Sequence, residues 1–140
     1  MTNSESRQKI ARLIDANLNR LKEGIRVIED ISRYVYDDAS LTSQLKSLRH
    51  SLQPIYSQDR LHFRDIQNDV QKKSIESELH RTDIGDLLIA NFSRTQESAR
   101  VLEESFKLTD RTFSEIAKEA RYKLYGIEKE FFVRYQAIEQ

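Results

Sequence analysis

"ANLNRLKEGIRVIED", residues 16–30, returns later in the chain as "ANFSRTQESARVLEE", residues 90–104. The two stretches share seven identities in fifteen positions, at an offset of 74 residues. Apolar residues recur in both at the three- and four-residue spacing of an amphipathic helix. Because an amphipathic helix needs a partner for its apolar face, the repeat indicates a fold built from two similar halves.

A second helical pattern follows each copy, and it also repeats. Residues 45–55 align with residues 117–127 at an offset of 72, with Lys46, Arg49 and Leu52 matching Lys118, Arg121 and Leu124. The repeated unit is therefore a pair of helices. We predict an all-α, four-helix bundle with pseudo-two-fold symmetry.

The same periodicity gives the expected bounds of the elements. Helices are expected at about residues 5–36, 41–52 and 81–108 and from 112 to the C-terminus, with Asp37, Asp38 and Ser40 as candidate caps of the second helix. We expect one helical domain over residues 1–140. Its halves would cover about 5–56 and 81–138, and a polar connection would cover 57–80.

Composition excludes several classes of protein. The 23 basic and 23 acidic residues balance to a net charge of zero, which disfavours a nucleic-acid binder. Cysteine is absent, so thiol chemistry and disulfides are excluded. The N-terminus carries no signal-peptide pattern and no apolar run is long enough to span a membrane, so we expect a cytoplasmic protein with no membrane partner.

Polar residues fall close to the apolar sector of the repeated helices. Buried polar groups cost free energy unless they are partnered, so these positions call for ion pairs or a wet cavity. Two interpretations stay open: pairs that fix the register of the bundle, or a polar interior site that both halves share. The residues concerned are Asn17, Arg20 and Glu23, their repeats Asn91, Arg94 and Glu97, and Arg49 and Arg121 of the second helices.

Charged residues on the opposite faces also repeat. Arg26, Glu29 and Asp30 recur as Arg100, Glu103 and Glu104. Such residues form either a solvated face or, where they meet a partner helix, oxygen ligands for Mg²⁺. The connection adds "FRDIQNDV", with Arg64, Asp65 and Asp69, which is either an exposed charged loop or a loop that carries binding residues.

Five motifs, in this order, resemble one family. "DANLNRLKEGIRVIEDISRYVYDD", "LKSLRH", "RDIQNDV", "ANFSRTQESARVLEE" and "ARYKLYGIE" are similar to the small all-helical hydroxymethylpyrimidine-phosphate kinase domain of bacterial thiamin biosynthesis. That domain is often fused to thiamin-phosphate synthase, and this chain looks like a stand-alone form with a functional link to the synthase. The resemblance implies ATP-dependent phosphorylation of 4-amino-5-hydroxymethyl-2-methylpyrimidine phosphate to the diphosphate.

That chemistry needs cations and Mg²⁺ to bring two polyanions together, so we assign hypothetical roles to the repeated residues. The catalytic candidates are Arg20, Arg94, Glu23 and Glu97. The phosphate- and substrate-binding candidates are Asn17, Asn91, Arg26, Arg49, Arg64, Arg100 and Arg121. The candidate metal ligands are Asp65, Asp69 and Glu103, with Arg64, Asp65 and Asp69 closing over the site as a lid.

Other functions stay open on the sequence alone. A non-catalytic helical module would bind a phosphorylated pyrimidine, or assemble with the synthase, without consuming ATP. An all-α nucleotide pyrophosphatase would use the repeated carboxylates more than the arginines. The long first helix also favours a homodimer. The interpretation that best explains the duplication is one anion pocket formed by an Asn-Arg-Glu set from each half.

Overall fold

Four long helices make up most of the protein. The computed structural model describes residues 2–74 and 80–135, and the helices are α1 (Asn3–Asp30), α2 (Ala39–Ser51), α3 (Ile84–Phe106) and α4 (Arg111–Tyr135). No strand occurs in these two ranges. The prediction of an all-α bundle built from two repeated helix pairs is confirmed. Residues 136–138 of the predicted second half and 75–79 of the connection lie outside the described residues.

Side-chain caps set where the helices begin. Thr2 and Glu5 form a capping box at the start of α1, in which the Glu5 N–H donates to Thr2 Oγ1 at 3.1 Å. Asp38 accepts from the Leu41 N–H at 2.9 Å, as the sequence predicted for α2. Asp83 accepts from the Asp86 N–H at 2.8 Å, so α3 begins at Ile84 rather than near residue 81.

One apolar core joins all four helices. The largest packed interfaces are those of α1 with α3 and of α3 with α4. Fully buried side chains from every helix meet there, among them Leu21, Ile25, Leu45, Phe92, Leu102, Leu124 and Phe131. Within the described part of the chain, no helix is both long and apolar enough to cross a membrane.

Helices α1 and α3 approach each other closely at Gly24. A Cβ added there would lie 2.5 Å from Thr95 Cγ2, whereas a Cβ added at Gly126 of α4 meets nothing within 4 Å. We expect Gly24→Ala to lower the free energy of unfolding by about 1–3 kcal/mol through overpacking. Gly126→Ala is the matched control, and it should raise stability by about 0.5–1 kcal/mol because alanine is the better helix former.

Urea denaturation followed by circular dichroism measures both changes. In the background of Thr95→Ser, which removes Cγ2 and keeps the hydroxyl that donates to the Phe92 carbonyl, Gly24→Ala should cost less. An equal cost in both backgrounds would show that Thr95 does not set the helix separation.

The two halves differ in the turn between their helices. A π-helical turn, Ile31–Val35, follows α1, and Asp37 adopts a φ of 49°, in the left-handed region. The salt-bridged residues Glu29 and Arg49 of the first half are 20 residues apart, and their repeats Glu103 and Arg121 are 18 apart. A π turn takes up extra residues within a helix, so we attribute the longer spacing of the first half to this turn.

The connection after α2 is partly ordered against α1. It contains the 3₁₀ segments Gln53–Ile55 and Gln58–Phe63, and the second of these packs on α1. Ser57 begins that segment by accepting from the Asp59 N–H at 3.1 Å. As a result, a segment with no helical periodicity covers one face of α1.

Candidate functional site

Each half contains the same ion pair between a buried glutamate and an arginine of the following helix. Arg49 Nε lies 3.1 Å from Glu29 Oε1, and Arg121 Nη2 lies 2.9 Å from Glu103 Oε1. The assignment of Glu29 and Glu103 to an outer face is wrong, since their residues are only 4% and 6% exposed. The positions of Arg49 and Arg121 near the leucine stripes are confirmed. These pairs join the two helices of each half.

The charged neighbours of these pairs stay on the surface. The exposed Arg26 forms an ion pair with Glu29 Oε2 at 2.6 Å, and Arg100 pairs with Glu104 at 3.4 Å. Burial alone would raise the pKa of Glu29, but hydrogen bonds from Arg49 and then Arg26 more than offset it and hold that pKa below its ordinary value.

The interior location predicted for the other repeated charges is wrong. Arg20 and Glu23 are exposed on α1, and Arg94 and Glu97 are exposed on α3. The physical reason is that these side chains leave the edge of the apolar sector, from which a long polar chain reaches water. Residues that project to solvent on two helices do not form the shared interior pocket that the sequence predicted.

The two repeated asparagines lie where the helix pattern placed them but bond to their own helices. Asn17 is buried, and its amide donates to the Leu13 carbonyl at 3.0 Å. The half-buried Asn91 donates in the same way to the Leu87 carbonyl at 2.8 Å. One donor of each amide is therefore used within the helix.

A polar cleft lies between α1 and the loop that follows Phe63. Its volume is about 560 Å³, within the roughly 300–1,000 Å³ typical of small-molecule sites. Basic and acidic side chains alternate around it, and the main ones are Lys9, Arg12, Asp15, Arg20, Arg64, Asp65 and Asp69. The structure thus brings Arg20 of the repeat together with the three residues predicted to form a lid.

Asp15 fastens this loop to α1. Its residue is only 2% exposed, and both its carboxylate oxygens accept from Arg64 at 2.9 Å. The hydrogen bond to Asp15 raises the pKa of Arg64. Arg12 adds a bond from Nη2 to the Asp65 carbonyl at 3.1 Å. Arg64 is therefore an anchor of the loop as well as a wall of the cleft.

Sequence reasoning did not assign a role to Asp15. It opens the motif "DANLNR", and its signal is weak, because a lone acidic residue on a charged helix reads as solvated. Its burial comes from the segment Gln58–Phe63, which contributes Arg60. The Arg60 Nε lies 3.2 Å from Asp15 Oδ1, an ion-pair distance.

A second, smaller cavity is lined by Tyr56, a residue that Arg60 contacts. The Arg60 guanidinium sits over the ring of Tyr56 at 5.5 Å, and the Tyr56 hydroxyl donates to the Leu18 carbonyl at 2.8 Å. Burial raises the pKa of Tyr56 well above its ordinary value, so the phenol stays protonated. The ring borders a cavity of about 370 Å³ that Arg49 and Lys22 also line.

The predicted metal ligands are not brought together as one set. Glu103 is held by Arg121, while Asp65 and Asp69 line the cleft. Over residues 2–74 and 80–135, no three acidic or histidine side chains converge as metal ligands. Hydrogen bonds from the side chain and the backbone of Asn68 lower the pKa of Asp65, so this carboxylate is ionised at neutral pH.

Comparison with known proteins gives the family. The model of the ThiD2 family matches residues 12–130. The chain belongs to the ThiD2 family. The ThiD2 match extends over both repeats and the connection, so it includes all the residues of the Arg49 cavity and every cleft residue except Lys9.

Relatives of this ThiD2 chain carry the name thiamine-phosphate synthase. The protein from Synechocystis sp. is 41% identical over 120 residues, which are 85% of this chain and 35% of the relative. Those from Thermosynechococcus vestitus and Rhodopirellula baltica are 40% and 36% identical over 87% and 93% of this chain. The chain spans about a third of the length of these curated relatives. No solved structure matches it. The resemblance to a family of thiamin biosynthesis is confirmed.

Proposed function

We propose that this chain is a phosphotransferase that uses ATP and Mg²⁺ to convert 4-amino-5-hydroxymethyl-2-methylpyrimidine phosphate to its diphosphate. The observation that carries the proposal is two cation-lined pockets whose linings are connected through one residue, Arg60. Asp15 lines the cleft, Tyr56 lines the cavity, and Arg60 contacts both of them. A phosphoryl transfer between two anionic substrates needs two such pockets side by side.

The proposed phosphoryl transfer depends more on positioning the two substrates than on proton transfer. The acceptor is a phosphate that is largely ionised at neutral pH, so no strong general base is required. The barrier comes from approach of two polyanions, and fixed guanidinium groups reduce it because they are already oriented toward the developing charge. Arg64 on the cleft and Arg49 in the cavity are fixed by their carboxylate partners, and exposed Arg20 adds a cation to the cleft.

The polar cleft suits the triphosphate of ATP. Lys9, Arg12 and Arg20 lie along α1 as cations, and Asp65 and Asp69 offer carboxylate oxygens opposite them. Oxygen ligands are those that Mg²⁺ prefers, and Mg²⁺ bound to nucleotide usually keeps its phosphates and waters as the other ligands. Asp65 and Asp69 would therefore hold the metal through one or two contacts, without the complete protein cage that Glu103 was expected to join.

An assay with paired substrates tests the proposal. Pure protein with ATP and Mg²⁺ should release ADP with the pyrimidine monophosphate and give none with the free pyrimidine alcohol. Mass spectrometry should show the diphosphate as the other product, and removal of Mg²⁺ by EDTA should stop the reaction. ATP hydrolysis without diphosphate, or no ADP release from folded protein that binds the monophosphate, would overturn the proposal; the second result would favour a non-catalytic binding module.

The repeat provides a comparison that locates the site. Arg20 and Arg94 are equivalent residues and both are exposed, but Arg20 lines the cleft. If the cleft holds ATP, Arg20→Ala should raise the KM for ATP more than Arg94→Ala does. Equal losses in both variants would contradict the placement of ATP in the cleft.

A further inference from the structure

The two repeated arginines have the same partner but different surroundings. Arg49 pairs with Glu29 and leaves 27% of its side chain exposed, whereas Arg121 pairs with Glu103 and leaves only 10% exposed. The helix pairs that carry them are equivalent, so the difference comes from the residues that surround each guanidinium.

In the second half, two tyrosine rings cover the arginine. The Arg121 Cζ lies 4.9 Å from the ring centre of Tyr122 and 5.8 Å from that of Tyr125. Arg121 Nη1 also donates to the Tyr125 hydroxyl at 3.3 Å. The rings contact each other edge to face at 5.8 Å between centres. Protein aromatic groups therefore occupy the positions beside this guanidinium.

In the first half, the equivalent positions carry smaller side chains. At the offset of 72 residues, His50 stands where the second half has Tyr122, and Gln53 stands where it has Tyr125. Both border the cavity of about 370 Å³ beside Arg49. The second half thus has tyrosine rings beside its arginine, at the positions where the first half has residues that border a cavity.

The opposite wall follows the same pattern. In the second half, Gln96 of α3 donates to Glu128 of α4 at 2.8 Å, which ties the two helices together. The equivalent residues of the first half are Lys22 and Tyr56, and both line the cavity. In the second half these two positions bond to each other, whereas in the first half they place a cation and an aromatic ring beside the cavity.

We infer that the Arg49 cavity is the subsite for the pyrimidine substrate, where a planar heteroaromatic ring lies beside Arg49 as the tyrosine rings lie beside Arg121. Buried Ile25 and Leu52 give the cavity an apolar floor, and Lys22 and Arg49 give it positive charge for a phosphate. The identification of the ligand as the pyrimidine monophosphate rests on the proposed function. In this arrangement ATP binds in the open cleft.

Exchanging residues between the halves tests this subsite. His50→Tyr/Gln53→Tyr introduces the ring pair of the second half and should weaken binding of the pyrimidine monophosphate, measured by calorimetry without ATP, by at least about tenfold, or 1.4 kcal/mol. The matched control, Tyr122→His/Tyr125→Gln, makes the reciprocal exchange at two exposed tyrosines and should leave that affinity unchanged.

A surface variant makes the test independent of folding. Lys22 is exposed, so Lys22→Ala should fold normally and bind the monophosphate more weakly, with a smaller dependence on salt. Wild-type affinity in the double tyrosine variant, or in Lys22→Ala, would overturn the subsite, as would equal losses in the double variant and its control. Monophosphate binding with no ADP release from the wild-type protein would overturn the kinase and keep the subsite.

Discussion

Glu103→Leu is expected to lower the free energy of unfolding by about 3–5 kcal/mol, because it leaves the Arg121 guanidinium buried without its carboxylate. Both side chains of this pair are at most 10% exposed, and the hydrogen bonds to Tyr125 and Glu103 raise the pKa of Arg121, so the arginine stays charged. The measurement is urea denaturation followed by circular dichroism.

The adjacent residue is the matched control. Glu104 is half exposed and pairs on the surface with Arg100 and Lys107, so Glu104→Leu should cost less than about 1 kcal/mol. Adding Arg121→Met to Glu103→Leu should recover most of the loss, since it removes the unpaired charge. Similar losses in the two single variants would show that the Glu103 pair does not stabilise the bundle.

Asp15→Ala is expected to lower kcat/KM of the proposed kinase by about 100-fold or more, since a misplacement of about 1 Å can cost that much. Asp15 is a positioning residue that holds Arg64, with the loop that contains Asp65 and Asp69, against α1. Steady-state kinetics with ATP as the varied substrate is the measurement. Asp59→Asn, an exposed change beside Arg60, should leave the kinetics unaltered.

A double-mutant cycle separates this role from a general loss of structure. If Asp15 acts through Arg64, the double variant Asp15→Ala/Arg64→Ala should be no worse than the more impaired single variant. Fully additive losses in kcat/KM would contradict that assignment. Melting temperatures of all three variants, measured in parallel, report any general loss of structure.

The repeat was sufficient to predict the helix pairs, because their apolar spacing and the Asp38 cap are local properties of the chain. The side that each polar residue faces was harder to predict. At about 100° per residue, Glu29 lies about 120° from Asn17 and was placed outside the apolar sector. It is buried because α2 brings Arg49 to that side of α1. A single-helix pattern contains no information about the position of a second neighbour.

Asp15 shows the same limit more strongly. It lies about 160° from Asn17, nearly opposite the apolar sector, and yet it is buried. The segment that covers it, Gln58–Phe63, is a 3₁₀ turn in a connection without periodicity. The resemblance of "RDIQNDV" to a family motif singled out Arg64 and Asp65, but their contact with α1 depends on tertiary packing.

Arg60 contacts one residue of each pocket, Asp15 of the cleft and Tyr56 of the cavity. The buried Arg60 Nε lies at ion-pair distance from Asp15, 3.2 Å, but makes no hydrogen bond of good geometry with the described residues. A ligand can therefore displace the Arg60 side chain at a low cost in free energy. If a ligand beside Tyr56 moves Arg60 relative to Asp15, it changes the affinity of the cleft, and a ligand in the cleft must change the affinity of the cavity by the same factor. Under that condition, the two substrates of the proposed reaction would bind cooperatively through one side chain, that of Arg60.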